Sequence, residues 1–319
     1  MTRDFDLVIC AIERDIPTLE IGLPYMRKYL CPARIVIIAP RSCHSALASL
    51  GDKTGAARES ILMDEDSLAA GLNTDYVASL LAARGANPKR SGWYFQQFLK
   101  LCYSLNPLTG EYYLVWDADT IPLRPMKFFG ETGKVIFETS GEYNASYFFT
   151  MQRLIGKGKM YDHSFISEHM MMESATVCEL LKLICAPGMV SPRDVAQRII
   201  AAIDDGALSV SGFSEFETYG TFAASAYPDR YEQRSLRSLR HGAMLFGRQP
   251  SAKNLFALSR RYWWASFEAW PVSTCRAKMK RCAGGLIGSI WTAAAVWSDG
   301  AGYRAFLDRN EDGNGTVTP

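Results

Sequence analysis

Tyr112-Tyr113-Leu114-Val115-Trp116-Asp117-Ala118-Asp119-Thr120-Ile121-Pro122 sets five apolar or aromatic residues directly against two carboxylates at i and i+2, with a proline behind them. An apolar run without alternation reads as a central strand covered on both faces, and Tyr, Val and Trp suit a pleated surface. Open α/β sheets put ligands where such a strand ends and the chain leaves the sheet. On an extended backbone Asp117 and Asp119 point the same way, with Ala118 turned aside. Two adjacent carboxylates raise each other's pKa unless a cation sits with them. A hard divalent ion held by few carboxylates completes its shell from water and phosphate. The stretch therefore predicts a metal and diphosphate site.

The flanking sequence supports an α/β chain. Phe5 to Ile12 is a continuous apolar strand, and Glu13-Arg14-Asp15 is the loop at its end. Helical spacing over 18–29, a strand over 34–40, a helix over 42–50 and a strand over 61–63 complete a βαβαβ opening. Asp64-Glu65-Asp66 is a second D-x-D, but Ser67-Leu68-Ala69-Ala70 starts a helix, so Asp64 or Asp66 also suits an N-cap. The helix predicted from Trp93 to Ser104 carries Phe95, Phe98, Leu99 and Cys102 in one stripe, with Gln96, Gln97 and Lys100 largely off it. Phe165 to Met172 places Glu168 and His169 at the start of an apolar helix behind Ser167. Ser214-x-x-Glu217 fits a capping box. Glu215, in the first turn, is favoured there by the helix dipole alone.

Three motifs in order carry a family resemblance: Trp93-Tyr94-x-Gln96-Gln97-x-Leu99-Lys100, then Asp117-x-Asp119, then Phe213-Ser214-Glu215-Phe216-Glu217-Thr218-Tyr219-Gly220. Together they resemble the GT-A glycosyltransferases, and within them a bacterial group associated with surface-polysaccharide assembly. The resemblance spans residues 5–245. It implies a Rossmann-like mixed sheet flanked by helices, with a nucleotide-sugar half over 1–125 and an acceptor half over 126–245. The remaining 246–319 is expected to be a basic, aromatic, helical C-terminal segment ending in a disordered tail. In such enzymes the D-x-D carboxylates hold Mn²⁺ or Mg²⁺ against the donor diphosphate. The resemblance thus assigns Asp117 and Asp119 to the metal, with His241, after the acidic helix, completing the set. Imidazole tilts the choice toward Mn²⁺. Glu13, Asp15, Asp64, Gln97, Lys100, Asp117 and His169 fall where the nucleotide sugar would lie. Glu215 or Glu217 falls where an inverting enzyme keeps its general base, and Glu215 is favoured because the capping box occupies Glu217. The implied donor is a UDP-sugar and the acceptor a glycan or lipid-linked glycan. The residues also suit a non-catalytic carbohydrate- or nucleotide-binding protein, or a metal-dependent phosphohydrolase.

Composition bounds these readings. The chain has 319 residues, 48% hydrophobic and 21% charged, with net charge +2. The charge is uneven, with twelve Lys and Arg against two Glu from Arg230 to Arg281. Interleaved with Trp263, Trp264, Phe267 and Trp270, that basic run suits an anionic membrane surface or a packed helical appendage. It matches no nucleic-acid motif, and no nucleic-acid partner is expected. The eight cysteines contain no C-x-x-C pair and fit a reducing compartment. The start of the chain lacks a signal-peptide layout. The longest uncharged apolar run, Cys282 to Trp297, is 16 residues, short of the roughly 20 a spanning helix wants. The expected location is cytoplasmic, peripheral to the inner membrane face. Asp308 to Gly313 opens like an EF-hand loop, but Pro319 stands where the loop needs a bidentate Glu.

Overall fold

The computed structural model describes residues 3–53, 60–69 and 71–268. Among these, the first part of the chain runs β1 (Asp6–Cys10), α1 (Ile16–Leu30), β2 (Arg34–Ala39), α2 (Arg41–Lys53), β3 (Ser60–Asp64), α3 (Glu65–Leu68), α4 (Thr74–Ala83) and α5 (Ser91–Cys102). Then come β4 (Tyr112–Trp116), β5 (Thr120–Pro122), β6 (Val135–Glu138), α6 (Ala145–Ile155), β7 (His169–Glu173), α7 (Ser174–Cys185) and α8 (Pro192–Ala202). The described chain closes with α9 (Asp205–Leu208), α10 (Glu215–Ala226), β8 (Tyr231–Arg234), α11 (Gly242–Phe246), α12 (Ala252–Ser259) and β9 (Trp264–Ser266).

The main sheet has the order β3-β2-β1-β4-β7. Its first four strands are parallel, and β7 runs antiparallel to β4, with Trp116 opposite His169. The predicted architecture, a mixed and mostly parallel sheet flanked by helices, is the one observed. Every residue of β4 is buried, as an unalternating apolar run requires when both faces are covered. Strand order reverses between β1 and β4, so their C-terminal ends diverge and leave a crevice. Asp117 lies at that crevice, one residue past β4.

Two expectations are corrected here. Residues 169–173 are a buried strand, not the start of a helix. The run His169-Met-Met-Met-Glu173 has no hydrophobic period, and edge pairing with β4 decides its state over the helix preference of Met. Ser167 therefore caps no helix, and its hydroxyl donates to His169 O at 2.5 Å. The D-x-D residues are likewise not extended. They form a tight turn in which Thr120 N donates to Asp117 O at 3.0 Å and Trp116 Nε1 to Thr120 O at 2.7 Å.

The described chain beyond 245 returns to this turn. β9 pairs antiparallel with β5, Leu123 N donates to Trp263 O at 2.8 Å, and Phe267 N donates to Asp119 O at 2.7 Å. Leu255, Leu258, Tyr262 and Phe267 share a second apolar cluster with Tyr25, Ile121 and Leu123. The aromatic residues of 254–268 thus serve packing. The basic residues 276–281, the apolar run 282–297 and the EF-hand-like tail lie outside the described residues. No helix among the described residues is long and apolar enough to cross a membrane.

Candidate active site

A cleft opens at the crevice. Its walls come from the end of β1 and the turn after it (Cys10, Arg14, Asp15), from α5 (Trp93, Gln96, Gln97, Lys100) and from the D-x-D turn. The segments 211–216 and 240–241 and Glu268 close it. The three ordered motifs of the sequence therefore meet on one surface, although they are separated by up to about a hundred residues in the chain.

The α5 wall explains why polar residues interrupt a helix in the core. Gln97 and Lys100 are 3% and 4% exposed, so a water-facing role for them is excluded. Gln97 Oε1 accepts from the backbone N–H of Glu215 at 3.2 Å, and its amide donates to Trp93 O at 3.2 Å. Lys100 Nζ donates to Asp117 Oδ1 at 2.8 Å and Glu215 Oε1 at 2.7 Å. Burial opposes the charge of Lys100, but Asp117 and Glu215 outweigh it and raise its pKa. The amide and the ammonium thus hold both ends of Glu215, the first residue of α10.

The two acidic candidates on α10 separate clearly. Ser214 caps the helix, accepting from Glu217 N at 3.2 Å. The Glu217 carboxylate does not complete the box. It turns inward to accept from Ser164 Oγ at 2.5 Å and Phe165 N at 2.9 Å, and burial raises its pKa. Glu215 faces the cleft and Glu217 does not.

Around the D-x-D turn the cleft is crowded with acid. Six lining carboxylates (Asp15, Asp117, Asp119, Glu142, Glu215, Glu268) stand against four cations (Arg14, Arg90, Lys100, Arg240). Burial, then Asp117, Glu268 and Asp15, push Asp119 up to about 8. Burial likewise lifts Glu268 to about 7, although Arg240 pulls it down. Glu168, behind the turn, is raised to about 7 by burial despite a hydrogen bond from Trp264 Nε1 at 2.7 Å. Arg240 reaches three of these acids, pairing with Glu142 and lying 3.5 Å from Glu268 and 3.8 Å from Glu168.

No group of three or more His, Cys, Asp or Glu among the described residues forms a protein-only metal cage. Mn²⁺ and Mg²⁺ do not need one where phosphate and water supply the remaining ligands. Asp119, held protonated near neutral pH by burial and its acidic neighbours, is the group such a cation would relieve. The donor set therefore fits a hard divalent ion at Asp117 and Asp119. His241 lines the same cleft and bridges in antiparallel fashion to Phe267, whose N–H holds Asp119 O.

The other sequence candidates scatter. Asp15 lines the cleft, accepting from Ile12 N at 3.2 Å and Arg248 at 3.4 Å, and burial raises its pKa. Glu13, in the same turn, is exposed and outside the cleft. Asp64 is the N-cap of α3 and pairs with Arg41 at 2.6 Å, also outside the cleft. His169 is 2% exposed, stacked on Trp116 at 4.5 Å and edge-on to Trp264 at 4.7 Å. That places its ring in the core rather than among the lining residues. Burial lowers its pKa to about 3, so it is neutral. Arg90, Arg240 and Glu268 line the cleft without a sequence signal of their own. Glu268 was visible only as one of two acids in a long basic stretch.

No family model matches the chain, and no curated protein matches it. Among solved structures it is similar to the apo form of mouse xyloside xylosyltransferase 1, with 11% identity and a TM-score of 0.47 over 83% of this chain and 97% of that one. It is similar to the galactosyltransferase LgtC in complex with donor and acceptor sugar analogs, with 10% identity and a TM-score of 0.42 over 99% and 98%. It is also similar to the apo bifunctional glycosyltransferase WbbM, with 11% identity and a TM-score of 0.41 over 85% and 46%. All three are sugar transferases. Their TM-scores lie below 0.5, and the chemistry of this cleft rests on its own residues.

Proposed function

We propose that the chain is a metal-dependent glycosyltransferase that moves a sugar, with inversion, from a nucleotide-diphosphate donor to a glycan or lipid-linked acceptor in cell-surface polysaccharide synthesis. One observation carries the reading: Asp117 of the D-x-D turn and Glu215 at the head of α10 face one cleft and are joined by a single ammonium. A leaving-group end and a base end are thereby set side by side.

Asp117 and Asp119, with His241 beside them, would hold Mn²⁺ or Mg²⁺, which when bound offsets the negative charge of a departing diphosphate. The chain's own residues supply the rest. Glu215 accepts the proton of the acceptor hydroxyl, since Lys100 takes its Oε1 and leaves Oε2 for that proton. Gln97 fixes the Glu215 backbone, so the carboxylate need not reorganise when the reaction occurs. Asp15, in the turn that follows β1, would contact the nucleotide, since ligands of open α/β sheets lie beyond the strand ends at the switch point. Trp93 of α5 and Tyr147 of α6 line the cleft, and their aromatic faces suit the C–H faces of a sugar. A UDP-sugar is the donor the motifs favour. A location at the inner face of the cytoplasmic membrane agrees with the basic stretch beyond the described residues.

A thermal-shift screen of nucleoside diphosphates and their sugars, with and without Mn²⁺, tests the reading. We expect stabilisation that requires both components, followed by release of nucleoside diphosphate when a matching acceptor is added. Release of inorganic phosphate from simple phosphoesters without an acceptor would favour a phosphohydrolase instead.

A further inference from the structure

Lys100 is placed to do more than neutralise charge. It is 4% exposed, and two of its three N–H bonds are committed to carboxylates on different elements. The ammonium also lies 4.7 Å from the centroid of the Phe216 ring, a favourable cation–π position. Its helix is fixed on both sides. Tyr113 OH donates to Lys100 O at 3.1 Å from β4, and Gln97 accepts from Glu215 N on α10. The ammonium therefore cannot follow one carboxylate without giving up the other. It is also one charge shared between two, so each carboxylate is only partly compensated.

We infer that Lys100 is a positioning residue that makes Asp117 and Glu215 share one cation, coupling metal affinity at the D-x-D turn to the charge on Glu215. The inference rests on the glycosyltransferase reading and goes beyond it. When Asp117 is engaged by another cation, Lys100 keeps Glu215 in place for the acceptor. When Glu215 carries no charge, Lys100 settles on Asp117 and competes for it. Coupling of this kind is reciprocal, so donor and metal occupancy in turn govern how firmly Glu215 is held. Lys100 thereby acts through the two carboxylates and does not itself grip the donor phosphate.

The test measures free Mn²⁺ by electron paramagnetic resonance as the protein is titrated in the presence of UDP. Four forms are compared: wild type, Glu215→Gln, Lys100→Met and the double variant. Glu215→Gln, which touches no metal ligand, is expected to weaken Mn²⁺ uptake about tenfold, because a neighbouring full charge moves a carboxylate's cation affinity by roughly that factor. Lys100→Met is expected to tighten uptake by a similar factor. The double variant should match Lys100→Met, since without the ammonium Glu215 has no route to Asp117. Lys100→Arg should restore the response to Glu215→Gln. Lys100→Met weakening uptake, with effects that simply add in the double variant, would indicate scaffolding alone and overturn the inference. If Lys100→Met does not fold, Glu215→Gln decides alone, and equal uptake to wild type overturns the inference. A wild type that takes up no Mn²⁺ with UDP overturns the glycosyltransferase reading and this inference together. A wild type that does, beside a Glu215→Gln that is unchanged, overturns only the inference.

Discussion

Lys100 and His169 are both polar side chains sealed in the protein, and burial acts on them in opposite ways. Two carboxylates hold Lys100 charged, whereas both ring nitrogens of His169 lack a hydrogen-bond partner and its ring stays neutral. A pKa depressed to about 3 in the fold, against 6.5 when unfolded, gives a definite sign. The neutral ring contributes its full share of stability above about pH 6.5 and loses it as pH falls toward 3, because only the unfolded chain takes the proton. His169→Phe, which keeps the stacking on Trp116, should therefore unfold at nearly the wild-type temperature at pH 8 and at a higher one at pH 5. Thermal melts across that range check it. The two glutamates of α10 give a second contrast. Glu215→Gln should cut turnover about 10²- to 10⁴-fold while donor binding stays within about tenfold of wild type. Glu217→Gln should instead lower stability by about 1 kcal/mol, since it weakens a charge-assisted pair of hydrogen bonds to Ser164 and Phe165, and urea unfolding reads that. The sequence favoured Glu215 through the local logic of the cap. It could not show that Glu217 is turned inward, because that depends on Phe165, which is remote in the chain.

At the scale of elements, α10 is pressed against the segment leading into β7. A Cβ added at Gly220 would sit 2.5 Å from Phe165 Cγ, and Phe165 is itself fully buried. Gly220→Ala should thus cost about 1–3 kcal/mol, typical of overpacking where a buried ring has no room to yield. A lowered unfolding midpoint with unchanged slope checks this, and an unaffected midpoint would mean the helix sits farther out. Elements with strong periodicity or unbroken apolar runs were legible: β1, β2, β4, α1 and α5 fall within a few residues of where the sequence put them. β7 was not, because its triple Met favours helix locally and only pairing with β4 makes it a strand. The D-x-D turn was also misread as extended. Its shape depends on Thr120 and on Phe267, about 150 residues away in the chain.

The whole molecule is arranged so that distant parts converge on one crevice. The parallel order β3-β2-β1-β4 places it, α5 and α10 line it, and β9 supports its floor through β5. The family resemblance stops at 245, and residues 252–267 beyond it supply seven of the ten buried members of the second apolar cluster and the backbone bond to Asp119. A chain ending at residue 250 should accordingly lose β5's partner strand and melt at least about 5 °C lower, with donor binding lost. The cleft's location was legible because a strand-end acid pair at a switch point is a sequence-level signal. Its electrostatic balance was not, since Arg240, Glu142 and Glu268 join it only through tertiary folding. Under the proposed function, the acid pair at the end of β4 binds a nucleoside diphosphate through a divalent ion. Calorimetric titration of UDP and GDP into wild type and Asp119→Asn, with and without Mn²⁺, tests it most directly. Binding to wild type should require Mn²⁺ and be abolished in Asp119→Asn. Binding that is equal without metal, or that survives Asp119→Asn undiminished, would contradict it.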